Sequence, residues 1–86
     1  MPELVTETVG GEPYAYYPLG QYVVRAPGVC GGRPTFKYTR IEVTGVLERL
    51  AAGESTDAIV AGFDDKVPRA ALLEAMHIVT TMYSPA

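Results

Sequence analysis

The chain has 86 residues, 48% of them hydrophobic, and a net charge of −3, so it provides one domain with a marginal core and we expect a homodimer or higher homo-oligomer. A single cysteine and a single histidine exclude an internal disulfide and a metal cluster, and no cofactor is predicted. The apolar runs are too short for a membrane span and no signal peptide is recognisable, which predicts a cytoplasmic protein.

The N-terminal part is predicted to be a tail followed by a β-arm. Residues 1–13 carry scattered apolar side chains and end in Gly-Gly-Glu-Pro, which indicates a flexible tail. Strand-forming residues at 14–17 and 21–25 flank Pro-Leu-Gly, so we predict a β-hairpin, and a short strand over 35–38 completes an arm at 14–41. Because a two-stranded hairpin is marginal alone, it must lie on the helices or pair with another chain's strand.

Three amphipathic helices are predicted after the arm, over about 42–52, 56–62 and 68–83. These elements predict a mainly α fold with a small β element, in which an N-terminal β-hairpin or arm precedes a three-helix, homeodomain-like helix-turn-helix unit. Residues 14–86 would form the single domain, with 42–83 as its three-helix unit.

Local signals set the predicted helix boundaries. Thr39 and Glu42 have the spacing of a capping box before the first helix. Ser55 is a suitable N-cap for the second helix, and Pro68 suits the first position of the third. The third helix has a predicted core stripe made of Leu72, Ala75, Met76, Val79 and Tyr83.

Few residues suggest catalysis, so an enzyme is not predicted. His77 falls opposite the core stripe, where an exposed helix position is the simplest interpretation. Asp64 and Asp65 are adjacent in a turn and would point apart. Cys30 could be a reactive thiol if Arg33 lowered its pKa, but a small turn residue is favoured.

The charge is unevenly distributed along the chain. Residues 1–12 contain three acids and no base, whereas residues 13–41 contain four bases and no acid, and residues 42–86 contain seven acids against three bases. An anionic partner would therefore meet the middle segment. Alternatively, the basic side chains are solvated or pair with the acidic half of a second subunit.

A nucleic-acid interface is predicted on the arm, and a protein interface on aromatic and apolar side chains. The predicted outward residues of the third helix include Arg69, which suits base contact, and Glu74, which would repel phosphate. The nucleic-acid-binding candidates are Arg25, Arg33, Lys37, Arg40 and Arg69. The candidates for a partner or dimer interface are Tyr14, Tyr16, Tyr22, Leu73, Ile78 and Met82. The sequence leaves open whether strands or the third helix form that interface.

From about residue 21 to 80 the sequence resembles a known family. Pro27-Gly-Val-Cys-Gly-Gly-Arg-Pro34 and Thr39-Arg-Ile41 carry the resemblance, which is to domain of unknown function 433. The sequence departs from the family pattern at three positions, since Ala26 replaces an acidic residue, Tyr38 a glycine and Glu42 a proline.

The resemblance implies an antitoxin of the VapB type with a homeodomain-like helical unit. Such a protein would bind DNA and neutralise a PIN-like nuclease toxin made from a neighbouring gene. The net negative charge and the non-basic third helix keep a second hypothesis open, namely a protein-interaction or oligomerisation module that does not bind nucleic acid.

Overall fold

The computed structural model describes residues 3–64 and 66–82, apart from the side chain of Met82. In chain order these residues form β1 (Val5–Val9), β2 (Glu12–Pro18), β3 (Val23–Arg25), a 3-10 turn (Cys30–Gly32), β4 (Pro34–Phe36), α1 (Val43–Ala51), α2 (Thr56–Gly62) and α3 (Arg69–Met82). Asp65 and Tyr83, which the sequence assigns to a turn and a core stripe, lie outside the described residues.

The fold class differs from the prediction. In the described part of the chain, the four strands form one antiparallel sheet in the order β1-β2-β3-β4. A four-stranded sheet with three helices is a mixed α and β fold, so the prediction of a mainly α fold with a small β element is wrong. The three predicted helices are present within one or two residues of their expected ends.

The additional strand lies at the N-terminus. Gly10 and Gly11 join β1 to β2 directly after the Val9↔Glu12 pair. Their φ angles of +59° and +84° are left-handed at both positions, as a two-residue type I′ turn requires and as glycine adopts without a Cβ clash. Residues 5–13, interpreted from the sequence as a flexible tail, are therefore part of a hairpin.

The predicted arm hairpin is confirmed as the antiparallel pairing of β2 with β3, although β3 is shorter than the predicted 21–25, and β3 pairs in turn with β4. The last strand is shorter than the predicted 35–38. It ends at Phe36 because Tyr38 has a φ of +66°, a left-handed conformation that cannot continue a strand.

The start of α1 also differs from the prediction. Glu42 is the N-cap residue, but its side chain makes no capping hydrogen bond, so the predicted capping box is wrong. The Thr39 hydroxyl instead donates to the Phe36 carbonyl (2.7 Å) and accepts from the Ile41 amide (3.1 Å). The Ser55 cap is confirmed, since its hydroxyl accepts from the Ala58 amide at 3.1 Å.

Glu74 attaches α3 to the sheet. Its carboxylate accepts the backbone N–H groups of Gln21 (2.9 Å) and Tyr22 (2.7 Å) in the turn between β2 and β3, and that of Val23 (3.0 Å), the first residue of β3. The prediction that Glu74 is an outward residue of the third helix is therefore wrong. This contact sets the position of α3 along the sheet and the rotation of α3 about its own axis.

The sheet separates two apolar clusters, because neighbouring residues of a strand point to opposite faces. The cluster between sheet and helices is centred on Phe36, Ile59 and Leu72. The cluster on the other face consists of Tyr16, Val24 and Ala26. Met76, predicted as a core residue, is 42% exposed, so that part of the prediction is wrong.

Among the described residues, no helix is both long and apolar enough to cross a membrane.

Candidate nucleic-acid interface

A basic cleft lies where the turn between β4 and α1 faces the turn before α3. We define the basic cleft by Lys37, Tyr38, Arg40 and Lys66. It consists of two adjoining cavities of about 550 and 350 Å³, and Lys37, Tyr38 and Lys66 line both. Arg40 lines the first cavity, so three cationic side chains border one continuous depression.

Backbone hydrogen bonds hold the turn that carries Lys37 and Arg40. The Lys37 amide donates to the Tyr22 carbonyl of the neighbouring strand at 2.7 Å. The Phe36 amide donates to the Ile41 carbonyl at 3.1 Å and closes the turn on itself. The cations on this turn are therefore presented by a fixed backbone rather than by a free loop.

Tyr38 has the least common backbone conformation in the cleft. Its left-handed φ leaves its amide pointing at the Tyr14 hydroxyl, which accepts a hydrogen bond at 3.1 Å. The Tyr38 hydroxyl donates to Glu7 at 2.7 Å, and the Tyr14 and Tyr38 ring centroids lie 5.5 Å apart. Residues of the N-terminal hairpin thus support a strained residue of the cleft while its side chain stays 53% exposed.

The charge of Lys37 is already partly compensated. Its Nζ lies 3.4 Å from a Glu7 carboxylate oxygen and about 5 Å from the ring centroids of Tyr16 and Tyr38. The Tyr16 hydroxyl contributes most to raising the pKa of Lys37. Tyr38 and Glu7 raise it further. The hydroxyls of Tyr16 and Tyr38, assisted by Lys37, lower the pKa of Glu7, so this pair is charged on both sides.

Arg40 and Lys66 carry the uncompensated charge of the cleft. Neither forms an ion pair with any residue in the ranges 3–64 and 66–82, and both side chains are exposed. These two cations can therefore interact with an anion in the cleft without first breaking an ion pair among the described residues.

The other predicted nucleic-acid-binding residues lie elsewhere. Arg33 forms an ion pair with Glu42 (2.6 Å), which raises the pKa of Arg33 and lowers that of Glu42. Arg25 donates to the carbonyl of Gly32 at 3.2 Å. Arg69 forms an exposed contact with Asp57 at 3.3 Å. Of the five predicted bases, the structure brings only Lys37 and Arg40 into one cleft.

Sequence reasoning missed Lys66. It follows two aspartates, so its charge was counted within the acidic half of the chain. The available signal was its place in the turn before α3, since the N-terminus of a helix is a common position for phosphate-binding groups.

The predicted interface residues do not form one surface. Tyr16 is buried in the smaller cluster, and Tyr22 is half-buried at the basic cleft. Leu73 is 53% exposed, whereas Ile78 lines an apolar groove between α1 and α3. The side chain of Met82 lies outside the described part of the chain, and Tyr14 supports Tyr38 as described above.

Cys30 and His77 also lie apart. The Cys30 thiol donates to the Arg40 carbonyl at 3.4 Å, while His77 borders a shallow depression with Leu19 and Ile78. No cavity lined by described residues contains both side chains. The same part of the chain holds no group of three His, Cys, Asp or Glu arranged to bind a metal ion.

The family described as Protein of unknown function (DUF433) matches residues 23–77. The chain belongs to this family. The resemblance predicted from the sequence is thereby confirmed. The DUF433 region contains all four residues of the basic cleft and leaves the β1–β2 hairpin outside. No curated protein and no solved structure matches the chain.

The structure gives local roles to the three residues that depart from the DUF433 pattern. Ala26 is 1% exposed in the smaller apolar cluster. Tyr38 occupies a left-handed position, which explains why a glycine suits it, and here the hairpin contacts support the larger residue. Glu42 pairs with Arg33.

Proposed function

We propose that this protein is the antitoxin of a type II toxin–antitoxin pair, which acts by binding and not by catalysis. In this proposal a cytoplasmic homodimer binds DNA and neutralises a PIN-like nuclease toxin. The observation that carries the DNA-binding part is the basic cleft, in which Arg40 and Lys66 face one depression beside Lys37. Membership of the DUF433 family supports the antitoxin part through the implied likeness to VapB-type proteins.

The cleft suits a phosphate backbone. Arg40 offers a planar guanidinium that can bind one phosphate through two parallel hydrogen bonds, and Lys66 adds a point charge. Pro68 also borders the cleft, so a phosphate there would lie near the N-terminus of α3, which favours negative charge. Contacts of this kind position DNA without reading its sequence, and they make binding depend on salt.

The DNA-binding proposal predicts a large effect of the double substitution Arg40→Ala and Lys66→Ala. Removing two phosphate contacts is expected to weaken binding about tenfold or more at low salt and to reduce the slope of log K against log salt by about two. Fluorescence anisotropy with a labelled duplex from upstream of the chain's own gene measures both quantities.

The matched control is Arg33→Ala with Arg49→Ala. It removes the same number of charges from side chains that pair with Glu42 and Glu54 outside the cleft. Its effect on affinity is expected to be small. The proposal would be contradicted if the unsubstituted chain did not bind DNA at low salt. It would also be contradicted if the two double substitutions lowered the DNA affinity equally.

A protein-interaction or oligomerisation module without nucleic-acid binding is the second candidate. An apolar groove of about 380 Å³ between α1 and α3 favours it, with Val43, Leu47, Ile78 and Val79 among its lining residues. Arg33 and Lys37 form ion pairs with Glu42 and Glu7 within the chain, which leaves less positive charge for nucleic acid and also favours this candidate.

On this second reading, Ile78→Glu should dissociate the oligomer in sedimentation experiments, because it places a charge in the groove. Leu73→Glu is the control, since Leu73 is exposed and does not line the groove. An unchanged mass for Ile78→Glu would remove the groove as the contact surface.

A further inference from the structure

We propose that β1 pairs with β1 of a second copy of this chain, about a two-fold axis that passes beside Glu7, so that two sheets join into one. This inference identifies a surface for the homodimer and does not depend on DNA binding or on a toxin. It rests on the backbone and side chains of a hairpin that lies outside the DUF433 region.

The outer side of β1 is an open edge. The strand order places β1 and β4 at the two ends of the sheet, and among the described residues no strand lies beyond β1. The opposite edge is less available, because β4 begins with Pro34 and Thr35 bridges to Glu42. β1 carries no proline, lysine or bulge, which are among the features that protect an exposed edge, and its one charged side chain, Glu7, is paired with Lys37.

The hairpin geometry identifies the groups that point outward. In a two-residue hairpin the pair flanking the turn, here Val9 and Glu12, is hydrogen-bonded, and such pairs alternate along the ladder. Glu7 and Val5 therefore direct their backbone groups toward β2. Thr6 and Thr8 direct their N–H and C=O groups toward the open edge.

The sequence of β1 is self-complementary. Val-Thr-Glu-Thr-Val reads the same in both directions around Glu7. Antiparallel pairing about that centre places Thr6 opposite Thr8 of the partner, so the outward groups of both residues are satisfied by reciprocal hydrogen bonds. A symmetric interface needs such a match, because one surface must complement itself.

The side chains fit the same register. Val5 would lie opposite Val9 of the second copy, and such β-branched pairs stabilise adjacent strands. Val5 already packs against the smaller apolar cluster, while Val9 is 39% exposed, so pairing extends that cluster across the axis. The two Glu7 carboxylates would approach each other, but Lys37 and the hydroxyls of Tyr16 and Tyr38 compensate each charge.

Disulfide trapping tests the register directly. In a Cys30→Ser background, one preparation carries Val5→Cys and another carries Val9→Cys. Opposed residues of a non-hydrogen-bonded antiparallel pair lie about 4.5 Å apart at Cα, which a disulfide can span. Under mild oxidation a cross-linked dimer of twice 9.2 kDa is expected in the mixture and not in either preparation alone. Equal cross-linking in the unmixed preparations would overturn the register.

Charge placement at the edge provides a second test by sedimentation equilibrium. The double substitution Thr6→Lys with Thr8→Lys places like charges opposite each other across the axis, whereas Thr6→Lys with Thr8→Glu places opposite charges there. The dimer Kd is expected to be about tenfold or more higher for the first variant than for the second.

Circular dichroism serves as the control that both charge variants remain folded. Equal dimer Kd values for the two, or a monomeric unsubstituted chain, would overturn the inference. So would a dimer that Ile78→Glu dissociates and the like-charge variant does not. Loss of DNA binding in the cleft variant would leave it standing, because the edge and the cleft are separate surfaces.

Discussion

Replacing Glu74 with alanine is expected to lower the free energy of unfolding by about 2–4 kcal/mol, since buried donors that lose a charged acceptor keep their desolvation cost. Glu74 accepts three backbone N–H groups from the turn between β2 and β3 and the start of β3, and the hydrogen bonds of Tyr22 and Val23 are partly buried. Without the carboxylate these N–H groups have no acceptor positioned for them on α3. Urea unfolding followed by circular dichroism measures the loss.

Two substitutions control this prediction. Glu48→Ala removes a glutamate from an exposed position of α1, so it changes the net charge equally and should cost much less. Glu74→Gln keeps one oxygen but turns an amide N–H₂ toward the donors, and an intermediate loss is expected. If Glu74→Ala and Glu48→Ala lowered the free energy of unfolding equally, the Glu74 carboxylate would not anchor the turn.

The same contact explains a glycine. A Cβ at position 20 would overlap the Glu74 carboxylate in its observed position. Gly20 therefore leaves the space that the carboxylate needs to reach the backbone of the turn.

Local patterns in the sequence predicted the helices well. The apolar periodicity of each helix and the Ser55 cap are properties of neighbouring residues, and α2 has its predicted bounds. The contacts of Glu74 with residues 21–23 could not be predicted in this way, because they join segments about fifty residues apart. They depend on where α3 lies against the sheet, which no short pattern encodes.

The N-terminal hairpin is a different case, since its signal was present. Two glycines between alternating segments are typical of a two-residue turn, but the scattered apolar side chains and the Gly-Gly-Glu-Pro run favoured a tail. Glu7 was counted only as one of the three acids of residues 1–12. In the structure it joins Tyr16, Tyr38 and Lys37, and this network depends on pairing that brings β1 near the turn after β4.

The candidate site was predicted only in part for a similar reason. Counting charge by segment indicated a basic arm, and Lys37 and Arg40 do line one cleft. Counting charges by segment could not show that Glu42 neutralises Arg33. It also could not show that Lys66, which belongs to the acidic half of the chain, lines the same cleft as Lys37 and Arg40. Folding redistributes charges that are adjacent along the chain.

Ile59→Ala is expected to lower the free energy of unfolding by about 2–5 kcal/mol, whereas Ile59→Val should cost about 0.5–1.5 kcal/mol. Ile59 is 0% exposed and is the fully buried side chain of α2, where it packs in the cluster shared by sheet and helices. A helix of seven residues has little stability of its own, so its position depends on this side chain. Urea unfolding of both variants measures the two losses.

Val60→Ala is the matched control within α2. Because Val60 is only half-buried, this substitution should lower the free energy of unfolding less than Ile59→Ala does. The larger substitution also bears on the basic cleft, since α2 leads into the turn that carries Lys66. Under conditions where Ile59→Ala remains folded, its DNA affinity should fall while that of Val60→Ala stays near the unsubstituted value. Equal stability losses for Ile59→Ala and Ile59→Val would show that the core collapses around the smaller residue, and α2 would then have to be held by Val60 and Phe63 instead.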